Sequence, residues 1–135
     1  MMLTTKSRYA VMAILDIAAT NNKEPVTLSD IATRQRIGLK YLEQIFAKLK
    51  KAQIVNSVRG PGGGYVLTSD INTLKIISII DAVEEKIKIT GCKNGVSCNK
   101  SNKKCNSHNL WHSLGIKIQG YFNAVSVSDV LQGNL

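Results

Sequence analysis

Apolar side chains return every three or four positions between residues 6 and 20. Ala10, Val11, Ile14, Leu15 and Ala18 share one stripe there, and this period predicts a helix. Asn21 to Pro25 interrupts it as a polar turn. Thr27 followed by Asp30 has the form of a capping box, in which hydroxyl and carboxylate serve the unpaired N–H groups of a new helix. That helix is short, from Leu28 to about Gln35, with Leu28, Ile31 and Ala32 facing inward. Gly38 marks a tight turn, and a third helix is predicted from Leu39 to about Lys51. Its Leu42, Ile45, Phe46 and Leu49 stand at i, i+3, i+4 and i+7 and define a buried face. Lys40, Tyr41, Gln44 and Lys48 take the opposite face. A short helix, a turn and a second helix with a polar, basic outer face predict a helix-turn-helix.

The period then changes. Ile54 to Val58 and Tyr65 to Leu67 are β-branched or aromatic runs of strand character, separated by Arg59-Gly60-Pro61-Gly62-Gly63-Gly64. A hairpin directly after a helix-turn-helix is a wing. Its glycines let the backbone approach DNA closely, and Arg59 at its base can enter a narrow minor groove or grip phosphate. A nucleotide-binding loop is disfavoured, because no Lys-Ser or Lys-Thr closes the run and no helix begins after Gly64. Residues 72 to 83 predict another helix, with Leu74, Ile76, Ile77, Ile80 and Val83 tied to the core. A polar loop follows, and then a longer helix from about Ser107. That helix carries Trp111, Leu114, Ile118, Tyr121, Phe122 and Val125 at spacings of three and four. So wide an apolar face needs the domain's own core or a two-fold partner, and the partner is favoured. Ser126 to Asn134 reads as a short final turn of helix and a frayed end. The predicted fold is mainly α with a small β-hairpin wing: a winged helix-turn-helix over residues 1–70, then a ligand loop and dimerisation helices over 71–135, in one compact domain.

Charge sharpens this picture. The 135-residue chain carries 18 Lys and Arg against 9 Asp and Glu, a net +9, which points to a polyanionic partner, most often nucleic acid. Residues 1–65 hold ten of the bases and four of the acids, so the N-terminal half is the candidate phosphate-contacting surface. Gln44 can contact adenine bidentately, and Lys40 can reach guanine or phosphate. Glu43 is the one acid on that helix. It either excludes sites lacking a suitable cytosine or simply pairs with Lys40 or Lys50. With Leu39, Tyr41, Arg59, Gly60 and Pro61 these residues make up the candidate contact set for a double-stranded DNA operator. No secretory signal opens the chain, and the apolar stretch from Ala10 to Ala19 is broken by Asp16 and too short to cross a bilayer; a cytoplasmic protein without membrane contact is expected.

The remaining chemistry is concentrated in one loop. Cys92, Cys98 and Cys105, the chain's three cysteines, are followed by His108 in the pattern Cys-x5-Cys-x6-Cys-x2-His, within a polar, lysine-rich segment from Gly91 to Ser107. Free cysteine is usually buried as a small hydrophobe, and this loop is too polar to bury much. An odd cysteine count argues against a disulfide framework. Three thiolates and an imidazole form a donor set suited to zinc or to an iron–sulfur cluster. His112 is a rival fourth ligand one helical turn on. Cys105 and His108 are themselves one turn apart on a helix start, which favours His108. No paired carboxylates, Ser/His/Asp set or phosphate loop supports catalysis, so no enzymatic activity is expected.

In this order the chain resembles the iron–sulfur cluster regulator family, the IscR-type winged-helix transcription factors. The likeness runs through Leu3-Thr4-Thr5-Lys6-Ser7-Arg8-Tyr9-Ala10, Tyr41-Leu42-Glu43-Gln44 and Val58-Arg59-Gly60-Pro61-Gly62-Gly63-Gly64-Tyr65, then the cysteine loop and Leu110-Trp111. The resemblance implies a homodimer carrying one [2Fe–2S] cluster per subunit, ligated by Cys92, Cys98, Cys105 and His108. It also implies a regulator, expected to be a repressor of cluster-assembly genes, whose DNA affinity or site choice follows cluster occupancy. A structural Cys3His zinc is the alternative. Two departures stand out: the second inter-cysteine gap is six residues where the family usually has five, and Gly38 takes a position where the family often has a capping serine.

Overall fold

In a computed structural model, which describes residues 3–20, 24–84, 89–90 and 103–135, the core is assembled mainly from helices. The elements run α1 (Thr5–Ala19), α2 (Leu28–Gln35), α3 (Leu39–Lys51), β1 (Val55–Val58), β2 (Gly64–Leu67), α4 (Ile76–Val83), α5 (His108–Ala124) and α6 (Val127–Gln132). Thr4 caps α1 by accepting from the Ser7 N–H at 3.3 Å, and Thr27 caps α2 by accepting from the Asp30 N–H at 3.1 Å. Ala10 and Ile14 of α1 are fully buried as predicted, but the inward face is rotated to include Ser7, Ala13 and Ile17, while Val11, Leu15 and Ala18 are half-buried. The predicted face of α3 is the observed one: Leu42, Ile45, Phe46 and Leu49 are all inaccessible to solvent.

One ion pair ties the first two helices together. Asp16 is buried on α1 and takes a fork of donors from α2: Arg34 Nη2 at 2.7 Å, Arg34 Nε at 3.0 Å and Gln35 Nε2 at 2.8 Å. Burial pushes the Asp16 carboxyl up, but the Arg34 guanidinium and Gln35 amide outweigh it and hold the group below the ordinary carboxylate range. The interruption of the α1 pattern by an acid is therefore a structural tie.

The turn between α2 and α3 departs from expectation. Its left-handed residue is Arg36 (φ 55°), and the Ile37 N–H reaches back to the Ala32 carbonyl at 3.1 Å, the closing bond of a Schellman turn. Gly38 has an ordinary backbone (φ −59°) and serves as the N-cap of α3 with no side-chain bond.

The strands form an antiparallel hairpin with Val55 opposite Leu67 and Val58 opposite Gly64. The hairpin is anchored at its base on both sides. Val26, just before α2, exchanges two backbone hydrogen bonds with Tyr65 (2.9 and 2.8 Å), and Phe46 of α3 meets the Tyr65 ring edge-on at 4.8 Å. Gly64 sits where this bridge closes. Its φ of 151° and the Val26 backbone beside it leave no room for a side chain. The wing, α2 and α3 are thereby one mechanical unit.

One predicted boundary is corrected at the C-terminal side. The helix expected from residue 72 begins at Ile76. Asp70 first turns the chain by accepting from Asn72 N at 2.8 Å, and Lys75 then runs extended to pair with Ser126. The Ile76 N–H donates to the Val125 carbonyl (3.0 Å) and the Val127 N–H to the Leu74 carbonyl (2.9 Å). The short final helix expected after Ser126 is present as α6 and opens on a complete capping box. Ser126 Oγ accepts from Asp129 N at 3.0 Å, and Asp129 Oδ2 accepts from Ser126 N at 2.9 Å. Val127 there is fully buried. No described helix is long and apolar enough to cross a membrane.

Candidate DNA-reading surface and metal centre

The four buried residues of α3 leave Lys40, Glu43 and Gln44 on its open side, with Leu39 exposed at its start. Tyr41 differs from its sequence assignment to the outer face. It is half-buried, with its ring edge-on to Tyr9 of α1 at 5.6 Å and 87° between planes, so much of its ring packs on the core. Lys48 is drawn away too. Its Nζ donates to the Val83 carbonyl at 3.3 Å, capping the end of α4, and the Lys6 ammonium nearby pushes its pKa down. Lys50, one of the partners expected for Glu43, instead donates to Ser57 Oγ of β1 at 2.8 Å and braces the wing against α3. Arg36 was not singled out in the sequence. It is exposed at the turn entering α3, and a cation at that place was the available signal.

Arg59, Gly60 and Pro61 are exposed beyond the end of β1. The Gly63 N–H closes the tip on the Gly60 carbonyl at 2.9 Å, and a Cβ on Gly63 would run into the Val58 carbonyl oxygen. A loop this tight presents Arg59 and bare backbone on a rigid mount. One polar helix face and one glycine-rich basic loop, locked together through Phe46–Tyr65 and Lys50–Ser57, are the parts a winged helix brings to a duplex.

Cys92 and Cys98 lie outside the described residues. Cys105 is exposed in the approach to α5, and His108 is half-buried as its first residue; the His108 N–H donates to the Cys105 carbonyl at 3.0 Å. Ser107 links the cysteine to the helix: its Oγ lies 3.4 Å from Cys105 Sγ and accepts from Trp111 Nε1 at 3.0 Å. Trp111 offers only a donor, so a thiolate at Cys105 would receive the Ser107 hydroxyl proton. At the other end of the loop, Ile89 packs where a side chain on Gly115 would stand, 3.2 Å from its Cδ1. Both ends of the cysteine segment therefore meet α5 within about 10 Å of helix axis, the rise of seven residues. Among the described residues, no group of three or more His, Cys, Asp or Glu is gathered tightly enough to hold a metal. The described half of the predicted set, one thiol and one imidazole a turn apart, has the donor chemistry of zinc or an iron–sulfur centre. His112 is exposed, its ring parallel to that of His108 (9°) with centroids 6.1 Å apart.

The signature of the Rrf2 family, described as an iron-dependent transcriptional regulator, matches residues 3–133. The HTH-type transcriptional regulator IscR of Photobacterium profundum is 44% identical over 134 residues, 99% of this chain and 77% of the relative. Its namesake in Vibrio vulnificus is 45% identical, covering 99% and 79%. Among solved structures, T. potens IscR superposes with a TM-score of 0.81 at 30% identity, covering 100% of this chain and 89% of that one. CymR, the global cysteine regulator of B. subtilis, gives a TM-score of 0.82 at 25% identity, covering 96% and 95%.

Proposed function

The chain belongs to the Rrf2 family as an IscR-type transcriptional regulator, and from that premise we propose that it is a homodimeric repressor whose DNA affinity or site choice is set by a [2Fe–2S] cluster. Its relatives are named regulators, and it is a regulator and not an enzyme. The proposed ligands are Cys92, Cys98, Cys105 and His108, one cluster per subunit, and the proposed targets are cluster-assembly genes. The cluster would supply a redox-sensitive cross-link among four points of a polar segment. Everything else falls to the chain's own residues. Gln44 and Lys40 read base edges in the major groove, Glu43 discriminates among sites, and Arg59, Gly60 and Pro61 follow the backbone or minor groove. Leu39 and Tyr41 flank that face.

The observation that carries this reading is the placement of Cys105 and His108. They stand at the entry to α5, a helix none of whose residues is buried and whose Leu110, Trp111, Leu114, Ile116 and Tyr121 are exposed. Pinning the entry of a helix with these exposed apolar side chains would couple ligation to dimer geometry, and through it to the spacing of two recognition helices one DNA turn apart. The test is an anaerobic absorption spectrum of purified protein with iron, sulfide and zinc analysis. Visible charge-transfer bands with two irons and two sulfides per chain are expected. A colourless protein with one zinc per chain would replace the sensor with a structural zinc site.

A further inference from the structure

We propose that the first two turns of α5 hold a second metal site, a bis-imidazole chelate of His108 and His112 for a borderline divalent cation such as Zn2+. The two histidines are four residues apart on one helix, the spacing that places side chains above one another on the same face. Their rings are parallel within 9° with centroids 6.1 Å apart, and His112 is open to solvent. Two imidazoles sharing one zinc need Zn–N bonds of about 2.0–2.1 Å. Histidines four residues apart on one helix face are the pair that binds zinc in the His-Glu-x-x-His helices of metalloproteases, so the spacing suits such a chelate. Imidazole is a favoured donor for zinc, copper and nickel, and two donors on a helix preorganise a chelate whose remaining positions water can fill. The partial positive charge of the helix N-terminus works against a cation, but this field falls off within the first turn, and His112 lies beyond it.

If His108 also ligates the cluster, the two occupants exclude one another, so zinc at this site blocks cluster loading. Only that exclusivity rests on the cluster reading; the chelate itself does not. The site gives His112 a role that the cluster leaves unassigned.

The experiment titrates Zn2+ alone, in competition with a chromophoric chelator, into the full chain carrying Cys92→Ala and Cys98→Ala. Those changes remove the three-thiolate set that would otherwise bind zinc. One Zn2+ per chain is expected. Adding His112→Ala should weaken it by about tenfold or more, since losing even an outer-shell partner of a metal costs about 10–100-fold in affinity. Equal zinc affinity with and without His112 overturns the site. In parallel, His112→Ala in the otherwise unaltered chain is reconstituted anaerobically with iron and sulfide. Full uptake is expected. Loss of the cluster would make His112 a cluster ligand and also overturn the separate site. Failure of the unaltered chain itself to take up iron and sulfide would sink the cluster reading and leave the zinc result to decide the chelate.

Discussion

Single side chains decide what the DNA-reading surface can do. Gln44 is exposed on the open face of α3, and Gln44→Ala should cost about 1–3 kcal/mol on the specific operator while relaxing preference at one base pair. Arg59→Ala should weaken binding to most sequences about equally and flatten the salt dependence. Titrations against operator and scrambled duplex at two salt concentrations separate these outcomes; unchanged affinity in both variants removes this surface as the reader. Ser107 bears on the proposed cluster site. Its hydroxyl faces Cys105 Sγ at 3.4 Å, and hydrogen bonds to cluster sulfurs raise reduction potentials. Ser107→Ala should lower the cluster's midpoint potential while Ser107→Thr retains it, as read by anaerobic redox titration. The exposure of Gln44 was legible from helical period, and that of Arg59 from its place in the glycine-rich loop between two strands. The inward packing of Tyr41 was not, because the Tyr9 ring that receives it comes from a helix thirty-two residues earlier.

At the scale of elements, local signals were legible where the partner was close in sequence. The Thr27 cap, the α3 face and the glycine-rich wing all emerged from spacing alone. The start of α4 did not, because it depends on the bridge between Lys75 and Ser126, fifty-one residues apart. Two tests follow. Arg36 is left-handed, a conformation that costs an ordinary residue about 1–2 kcal/mol. Arg36→Gly should therefore raise the melting temperature and yet weaken DNA binding by loss of an exposed cation, a pair of opposite signs checked by calorimetry and titration. The α1–α2 tie gives a pH signature. Asp16 has its carboxyl depressed in the folded state, so the unfolded chain binds its proton first as pH falls. The stabilisation is present above the unfolded carboxylate value, about 3.9, and is lost as pH drops through the lower folded value. Thermal melts from neutral to acid pH should show this loss, and Asp16→Asn should be less stable near neutrality with a flatter acid limb. A variant with the same acid limb as the parent would remove Asp16 from the account.

For the whole molecule the question is how the proposed metal centre at the entry to α5 would reach the proposed reading surface on α3. The Val26–Tyr65 backbone bonds and the Phe46–Tyr65 ring contact tie the wing to the α2–α3 unit, and the net charge of +9 suits that unit to a polyanion. In the proposed dimer, the exposed apolar side chains of α5 are where two such units would meet. Leu114→Glu on that face should shift sedimentation from dimer to monomer and take operator affinity with it. The sequence predicted this face from its period; in the structure its Trp111, Leu114 and Tyr121 are exposed, while Phe122 and Val125 pack against the core. Coupling between cluster and DNA is reciprocal and typically amounts to about 1–3 kcal/mol. The most direct measurement is operator affinity for cluster-loaded and cluster-free protein, taken anaerobically across several candidate sites. The account predicts that at least one site is bound about 5–150-fold more tightly by one form than by the other. Equal affinity of both forms at every site would contradict it and leave the metal centre a structural clamp.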